Sequence, residues 1–189
     1  MATKTFTQAQ LTASDVNTFA LKGDTCIASV SITAGQIVNC FGGDYENYKI
    51  VVTNFFATAD CYLWMQLGYN GGTTWIGGTY YQGGAYQAYG TGTITTYSNN
   101  GALPYWQLCA GGTAATGFPN SAYVNIQAPR LNTRPAYSAQ STLHFSGGIY
   151  SWYHMGNLAT AQAADSMRWA TTAGAVSSGT VSVYGVMQA

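Results

Sequence analysis

Acidic side chains are the first candidates for chemistry in this 189-residue chain, and they are few. The six are Asp15, Asp24, Asp44, Glu46, Asp60 and Asp165. Glycoside hydrolysis needs two facing carboxylates, and only Asp44 and Glu46 are close in sequence. Two residues apart on a strand, they would share one side and could hold a calcium ion together with backbone carbonyls. We favour the simpler interpretation, in which they are solvated charges at a strand edge with Lys49 as an ion-pair partner.

The histidines and serines add no catalytic pattern. His144 lies within a strand-like run, and His154 follows Trp152 and Tyr153. Because no third ligand stands at a recognisable spacing, hydrogen-bonded packing is the expectation for both histidines rather than a metal site. No Gly-x-Ser-x-Gly nucleophile motif is present. The sequence therefore predicts no enzyme, no catalytic residues, no metal and no cofactor.

Four cysteines, Cys26, Cys40, Cys61 and Cys109, show no Cys-x-x-Cys spacing. Zinc-binding and redox motifs are therefore unsupported. Cys26 and Cys40 flank a predicted hairpin and could pair with each other. We favour free thiols, because unpaired cysteines are commonly buried and disulfides rarely persist in a cytosol.

Aromatic residues offer the strongest case for recognition chemistry. A stretch from Gln82 to Gly92, rich in Gly, Tyr and Gln, has no periodicity and predicts an exposed loop. The aromatic residues around it are Trp75, Tyr80, Tyr81, Tyr86 and Tyr89. Tyr and Trp give large contact areas for few frozen torsions, which favours a capsid or subunit contact. Plain packing and glycan recognition on flat aromatic faces are the alternatives.

Composition excludes several classes of partner. Charged residues make up 6% of the chain, against roughly 25% in typical soluble domains. The six basic residues form no run, so binding driven by nucleic-acid phosphates is not expected. No apolar stretch approaches the ~18 residues of a membrane span, and the first residues lack the apolar core of a signal peptide. A surface so poor in charge predicts a subunit whose faces are largely covered by neighbours.

Regularly spaced short strands must position these residues. Alternation is clearest where Cys61, Leu63, Met65 and Leu67 line one face, and Gly-rich turns separate the runs. Turn residues Ala34 to Gln36 predict a first hairpin, and residues 159–167 could form one helical turn. No long amphipathic helix is visible. The pattern predicts an all-β fold, an antiparallel sandwich over residues 25–189.

The last strand closes this predicted fold. Val181 and Val183 alternate with polar Thr180 and Ser182, and amphipathic Tyr184 follows. This is the pattern of a half-buried strand. We predict that Val181, Val183 and Tyr184 form the core of the closing strand.

Residues 1–24 differ from the rest and predict an arm or a short helix. Ser14 and Asp15 are plausible helix caps, and Gly23 follows the last position with helical spacing. The segment could pack on its own domain or reach a neighbouring subunit. The candidate contact residues are Phe6, Leu11, Val16 and Phe19.

Five motifs, spread over most of the chain, form a recognisable set. They are Tyr45-x-x-Tyr48-x-Ile50-x-Val52, Leu63-x-Met65-x-Leu67-x-x-Asn70-Gly71-Gly72, a Tyr-containing strand ending in Pro129, the opening Leu11 to Asn17, and Ser178 to Val186. Together they resemble a group of small tailed-bacteriophage virion proteins. The closing Ser-Gly-Thr-x-x-x-Tyr-Gly-Val is the most specific of them.

This resemblance implies a non-enzymatic β-sandwich of jelly-roll type, often trimeric, on the capsid or the tail. We expect a capsid cement or decoration subunit: a homotrimer that binds the major capsid protein on the capsid exterior after assembly in the host cytoplasm. The rival expectation is a tail-fibre or receptor-binding module that contacts tail proteins and recognises a host surface glycan. The group brings no catalytic residues.

Overall fold

The computed structural model describes residues 24–42, 45–78, 80–111, 119–145 and 148–186. Within these ranges the chain forms strands β1 Thr25–Ser31, β2 Gln36–Ile37, β3 Asn47–Ala57, β4 Cys61–Tyr69, β5 Thr74–Trp75, β6 Tyr80–Ala88, β7 Ile94–Leu103, β8 Trp106–Gly111, β9 Asn120–Gln127, β10 Ala136–Phe145, β11 Gly148–Leu158, β12 Ser166–Thr171 and β13 Val176–Val186. The helical part of the described chain is one 3-10 turn, Ile32–Ala34. The predicted arm lies outside the described residues except for Asp24.

The strands build two antiparallel sheets. The larger has eight strands in the order β1-β13-β3-β9-β10-β11-β6-β7. The smaller has the order β2-β12-β4-β5, and β8 also pairs with β4. A single cluster of buried side chains draws on strands of both sheets. The predicted all-β sandwich is therefore confirmed.

Alternation explains which side chains enter the core. In β9 the even-numbered residues from Asn120 to Ile126 are buried, whereas the odd-numbered ones face solvent. In β13 the side chains of Val181 and Val183 are 1% and 0% exposed, whereas Tyr184, predicted to join them in the core, lies on the other face and is half-buried. Each such aliphatic side chain contributes about 1.5 to 3 kcal/mol by leaving water. Strand β13 lies between β1 and β3, so it is an interior strand and β1 forms the edge of the sheet.

The predicted first hairpin is wrong. Strand β1 pairs with β13, and β2 pairs with β12 in the other sheet. The 3-10 turn leads the chain from the larger sheet to the smaller one. Gly35 at its end has φ 75°, a conformation that favours glycine. The indole N–H of Trp169 donates to the Ile32 carbonyl, and the Trp169 backbone N–H donates to the Gly35 carbonyl at 2.8 Å. These bonds fix the turn against the smaller sheet, so the two strands cannot fold back on each other.

The predicted exposed loop from Gln82 to Gly92 is also wrong over most of its length. Residues up to Ala88 belong to β6, which pairs with β11 on one side and β7 on the other. A side chain at Gly84 would collide with the Tyr153 carbonyl, so the strands approach more closely there than another residue would allow. Glycine hides the period of two because it has no side chain to alternate.

The predicted helical turn over residues 159–167 does not form. The chain is irregular up to Asp165, and β12 then begins at Ser166. The N–H groups of Gln162 and Ala164 donate to the carbonyls of Thr133 and Pro129, at 3.0 and 2.6 Å. The connection is thus bonded to the β9–β10 turn, and these bonds replace those of a helix.

Candidate functional site

Several predicted contact residues cannot be placed. Phe6, Leu11, Val16 and Phe19 lie outside the described residues, and so does Asp44. The structure therefore describes no calcium pair at Asp44 and Glu46. Lys49 does not use Glu46 as its ion-pair partner; its ammonium group pairs with the Asp24 carboxylate instead.

The aromatic residues predicted to surround one loop do not form one surface. Trp75 lies in the smaller sheet, where the Arg168 guanidinium covers its ring at 4.6 Å from the centroid. Tyr86 belongs to the larger sheet and stacks on Trp152, with 5.1 Å between ring centroids. Tyr89 lies in the turn after β6 and is 84% exposed. The three residues therefore lie in three different environments.

Tyr80 has to be withdrawn as a contact residue. Its side chain is fully buried, and its ring packs edge-on against Trp106 at 5.1 Å between centroids. The Leu67 backbone N–H donates to the Tyr80 hydroxyl at 2.8 Å, and burial raises the pKa of that phenol. Tyr80 therefore joins the two sheets from inside and is unavailable to a neighbour. Tyr81, next in the strand, points outward.

A pocket of aromatic side chains lies at one end of the sandwich. We call it the aromatic pocket; it has a volume of about 150 Å³ and is lined by Tyr62, Tyr86, Leu143, Tyr150 and Trp152. Trp152 and Tyr86 are direct cross-strand partners on β11 and β6, so the register of the sheet stacks their rings. Tyr62 comes from β4 of the other sheet, and its ring centroid lies 5.6 Å from that of Trp152.

Behind this pocket lies a buried histidine. His154 is 1% exposed, and its Nδ1 is hydrogen-bonded to the Tyr97 hydroxyl. Burial raises the pKa of Tyr97, so the phenol keeps its proton near pH 7 and the bond joins two neutral groups. The other ring nitrogen, Nε2, has no hydrogen-bond partner among the described residues. Burial lowers the pKa of His154 to about 4. Hydrogen-bonded packing, as the sequence predicted for this residue, is what the structure shows.

The histidine predicts a loss of stability in acid. Because the folded-state pKa is about 4 and the ordinary value is 6.5, the unfolded chain takes up the proton first as the pH falls. The contribution is present above pH 6.5, declines below it, and is lost by about pH 4. We expect a loss of about 3 kcal/mol in the free energy of unfolding between pH 7 and 4. Urea denaturation at a series of pH values measures it.

A His154→Gln variant isolates this effect, since glutamine can still bond to Tyr97 but does not titrate. Its stability should fall less steeply between pH 7 and 4 than that of the natural chain. Parallel profiles for His154→Gln and the natural chain would contradict the assignment.

A second candidate site is the solvent-facing side of the eight-stranded sheet, here called the outer face. One continuous row crosses all eight strands: Ser29, Ser182, Val51, Tyr123, Gln140, Tyr153, Ala85 and Thr96. Met155 lies in the next row. Tyr123, Tyr153 and Met155 are 46%, 52% and 63% exposed. Lys49 is the one lysine or arginine in these eight strands, which contain no Asp or Glu.

Within the described ranges no three His, Cys, Asp or Glu side chains are grouped to hold a metal ion, and no helix is long and apolar enough to cross a membrane. All four cysteines are free, including the Cys26 and Cys40 that could have paired. Burial raises the pKa of Cys40 to about 12 and that of Cys61 to about 11. Both thiols are therefore neutral and unreactive near pH 7.

Sequence reasoning missed most of the aromatic pocket. In the sequence, Tyr62 alternates with the apolar residues of β4, which places its side chain on the opposite face of that strand. Tyr150 and Trp152 are two positions apart, so their side chains share one face of their strand. Those patterns showed which side chains share a side, but not that two sheets would bring them together. Comparison of the chain with protein-family models and with curated protein sequences gives no match.

Proposed function

We propose that this protein is a bacteriophage virion structural protein, a capsid cement or decoration subunit that binds the major capsid protein on the capsid exterior. The observation that carries the proposal is the outer face, a broad sheet surface of Ser, Thr, Asn, Gln, Tyr and Met side chains. The sequence motifs that resemble small virion proteins support the same assignment. No step of this function requires catalysis.

The chemistry of the outer face suits attachment to another protein. Its one ammonium group, on Lys49, is neutralised by Asp24 and lies 5.4 Å from the centre of the Tyr123 ring. Covering the face therefore strips water from hydroxyls, amides and aromatic rings rather than from unpaired charges, which would cost far more. Tyrosine and methionine are enriched at the centres of protein interfaces.

The energy of attachment would come from buried area. Apolar surface contributes roughly 25 cal/mol per square ångström when it leaves water, and a standard interface buries about 800 Å² on each partner. In a homotrimer three such contacts would act together, and each attached subunit would hold the other two at high local concentration. Modest contacts would then suffice for stable decoration of a shell.

Charge placed on the outer face should prevent attachment without unfolding the chain. Tyr153→Asp and Met155→Asp each introduce an unpaired carboxylate at the centre of the face. We expect binding to particles that lack the protein to weaken about 10-fold to 100-fold for each. Co-sedimentation of purified variant with such particles measures this, and circular dichroism checks the fold.

Leu131→Asp is the matched control. Leu131 is 46% exposed, similar to Tyr123 and Tyr153, but it lies in the β9–β10 turn and outside the sheet. It should bind particles as the natural chain does. Equal binding by all three variants would contradict attachment through the outer face.

Copy number separates the capsid proposal from the tail alternative. A decoration subunit covers a shell and is present in many copies per particle, whereas a tail-fibre module is present in one small set. Quantified gels of purified virions give the ratio of this chain to the major capsid protein. A ratio that fits a single tail would overturn the capsid assignment.

A further inference from the structure

The aromatic pocket has no role in attachment through the outer face. Its lining side chains, such as Trp152 and Tyr86, belong to the opposite side of the same strands that present Tyr153 and Ala85 outward. The inner face of a sheet is normally filled by tightly packed apolar side chains. At this pocket a space of about 150 Å³ remains open between the aromatic rings. The pocket therefore calls for an explanation of its own.

We propose that the aromatic pocket binds one uncharged pyranose ring of a glycan, held between the faces of Tyr62, Tyr86 and Tyr150 above Trp152. This inference goes beyond the capsid assignment and does not depend on it. A decorated capsid or a tail protein could equally carry such a site.

The size of the pocket fits a single sugar ring. Pockets for drug-sized ligands measure roughly 300 to 1,000 Å³, so a volume of about 150 Å³ excludes a larger ligand from full burial. Tyr62, Tyr86 and Tyr150 are each half-buried, which leaves parts of their rings accessible at the opening. Trp152 is 8% exposed and forms the floor. The rest of a longer glycan would extend into solvent.

The chemistry of the lining selects an uncharged ligand. None of its five side chains carries a charge at neutral pH, so neither an acidic sugar nor a phosphate would find a counter-ion there. The C–H groups on one side of a pyranose ring carry slight positive charge and pack against the electron-rich face of an aromatic ring. Aromatic rings at several angles can therefore hold the flat side and an edge of the same sugar.

The Trp152 indole N–H is, among the described residues, an unpartnered polar group beside the pocket. The indole Nε1–H of Trp152 is buried and has no hydrogen-bond partner in the described structure. A molecule the size of water does not reach this nitrogen, so a sugar hydroxyl would accept from it only after the lining side chains move apart to admit that hydroxyl. Sugar hydroxyls are acceptors as well as donors.

The site differs from the one that the sequence suggested for a glycan. Trp75 was grouped with Tyr86, but it lies in the smaller sheet with Arg168 over its ring and does not line the aromatic pocket. Trp75→Ala, which would have removed binding in the sequence-based hypothesis, is now expected to have no effect on it. Tyr62 and Trp152 take its place.

The test is a titration followed by nuclear magnetic resonance of the ¹⁵N-labelled full chain. The probes are the methyl glycosides of glucose, galactose, mannose and N-acetylglucosamine, each added to about 50 mM, since a single-ring contact is expected to have a Kd of about 1 to 10 mM. The signal of the Trp152 indole N–H, assigned with Trp152→Phe, should shift with at least one of them. Sialic acid should not shift it.

Variants separate the pocket from other surfaces. Tyr62→Leu keeps apolar volume and removes the ring face, and it should weaken binding of the responding glycoside at least about 5-fold, as should Tyr86→Leu. Trp75→Ala and Tyr89→Ala should bind it normally. Well-dispersed spectra show that each variant is folded, and normal attachment of Tyr62→Leu to particles keeps this result independent of the capsid proposal.

Three results would overturn the inference. One is the absence of any Trp152 shift with all four neutral glycosides. Another is unchanged affinity in folded Tyr62→Leu and Tyr86→Leu, or a loss in Tyr89→Ala instead, which would move binding to the cavity of the β6–β7 turn. The last is a Trp152 shift caused by a proline-rich peptide but by none of the sugars, which would assign the pocket to a protein ligand.

Discussion

Replacing Val183 with aspartate is expected to leave the chain unable to fold. The side chain is 0% exposed and lies opposite Ile50 of β3, itself 0% exposed. An aspartate there has no partner for its charge, and burying even its protonated form sacrifices packing on both neighbouring strands. The cost of about 5 kcal/mol or more is comparable with the whole stability of a typical domain, about 5 to 15 kcal/mol.

The measurement is the soluble yield and the dispersion of the amide spectrum. Val181→Asp combined with Val183→Asp should abolish folding outright. Ser182→Asp is the matched control, because Ser182 lies between them on the opposite face of β13, where its hydroxyl meets that of Ser29 at 2.8 Å. That variant should stay folded with a small loss. A soluble, well-folded double variant would show that β13 is misplaced.

Gly156→Ala is expected to break the pairing of β11 with β6. A Cβ at this position would collide with the Tyr81 carbonyl oxygen and would lie 2.8 Å from the Tyr137 ring. The carbonyl belongs to the backbone of the paired strand, so it cannot swing away as a side-chain end could. We expect a loss of about 3 kcal/mol or more in the free energy of unfolding, measured by urea denaturation.

Gly77→Ala is the control for the loss of glycine itself. Its nearest neighbour would be the Gln66 amide nitrogen at 3.9 Å, an ordinary contact. The change should alter stability by less than about 0.5 kcal/mol. Equal denaturation midpoints for the two variants would show that β6 and β11 do not approach as closely as described.

The glycine-rich stretch from Gln82 to Gly92 was hard to assign to a strand from the sequence alone. Alternation is read from side chains, and Gly83 and Gly84 have none, so the pattern of β6 disappears from the sequence. The same absence allows the backbones to approach. What identifies this stretch as a strand is its pairing with β11. The paired residues are about 70 positions apart, so no local window of the sequence contains both strands.

The candidate site shows a similar division. The sequence identified Tyr86 as a recognition residue, but it grouped it with Tyr80, which is buried, and with Trp75, which is covered by Arg168. The actual neighbours of Tyr86 are Trp152, its cross-strand partner, and Tyr150. Proximity in sequence was a poor guide because Tyr80 and Tyr86 share one face of β6 but pack against different residues, and Trp75 belongs to the other sheet.

By itself the sequence determined the all-β class, the inward faces of strands β4 and β13, and the scarcity of charge. These follow from a period of two, from turn residues and from composition, all of which are local properties. Tertiary structure alone decided that β1 pairs with β13 rather than with β2, that the glycine-rich stretch is a strand, and that Tyr62 meets Trp152. The reason is physical: alternation specifies which face of a strand is buried, whereas the choice of neighbouring strand depends on packing between residues far apart in the chain.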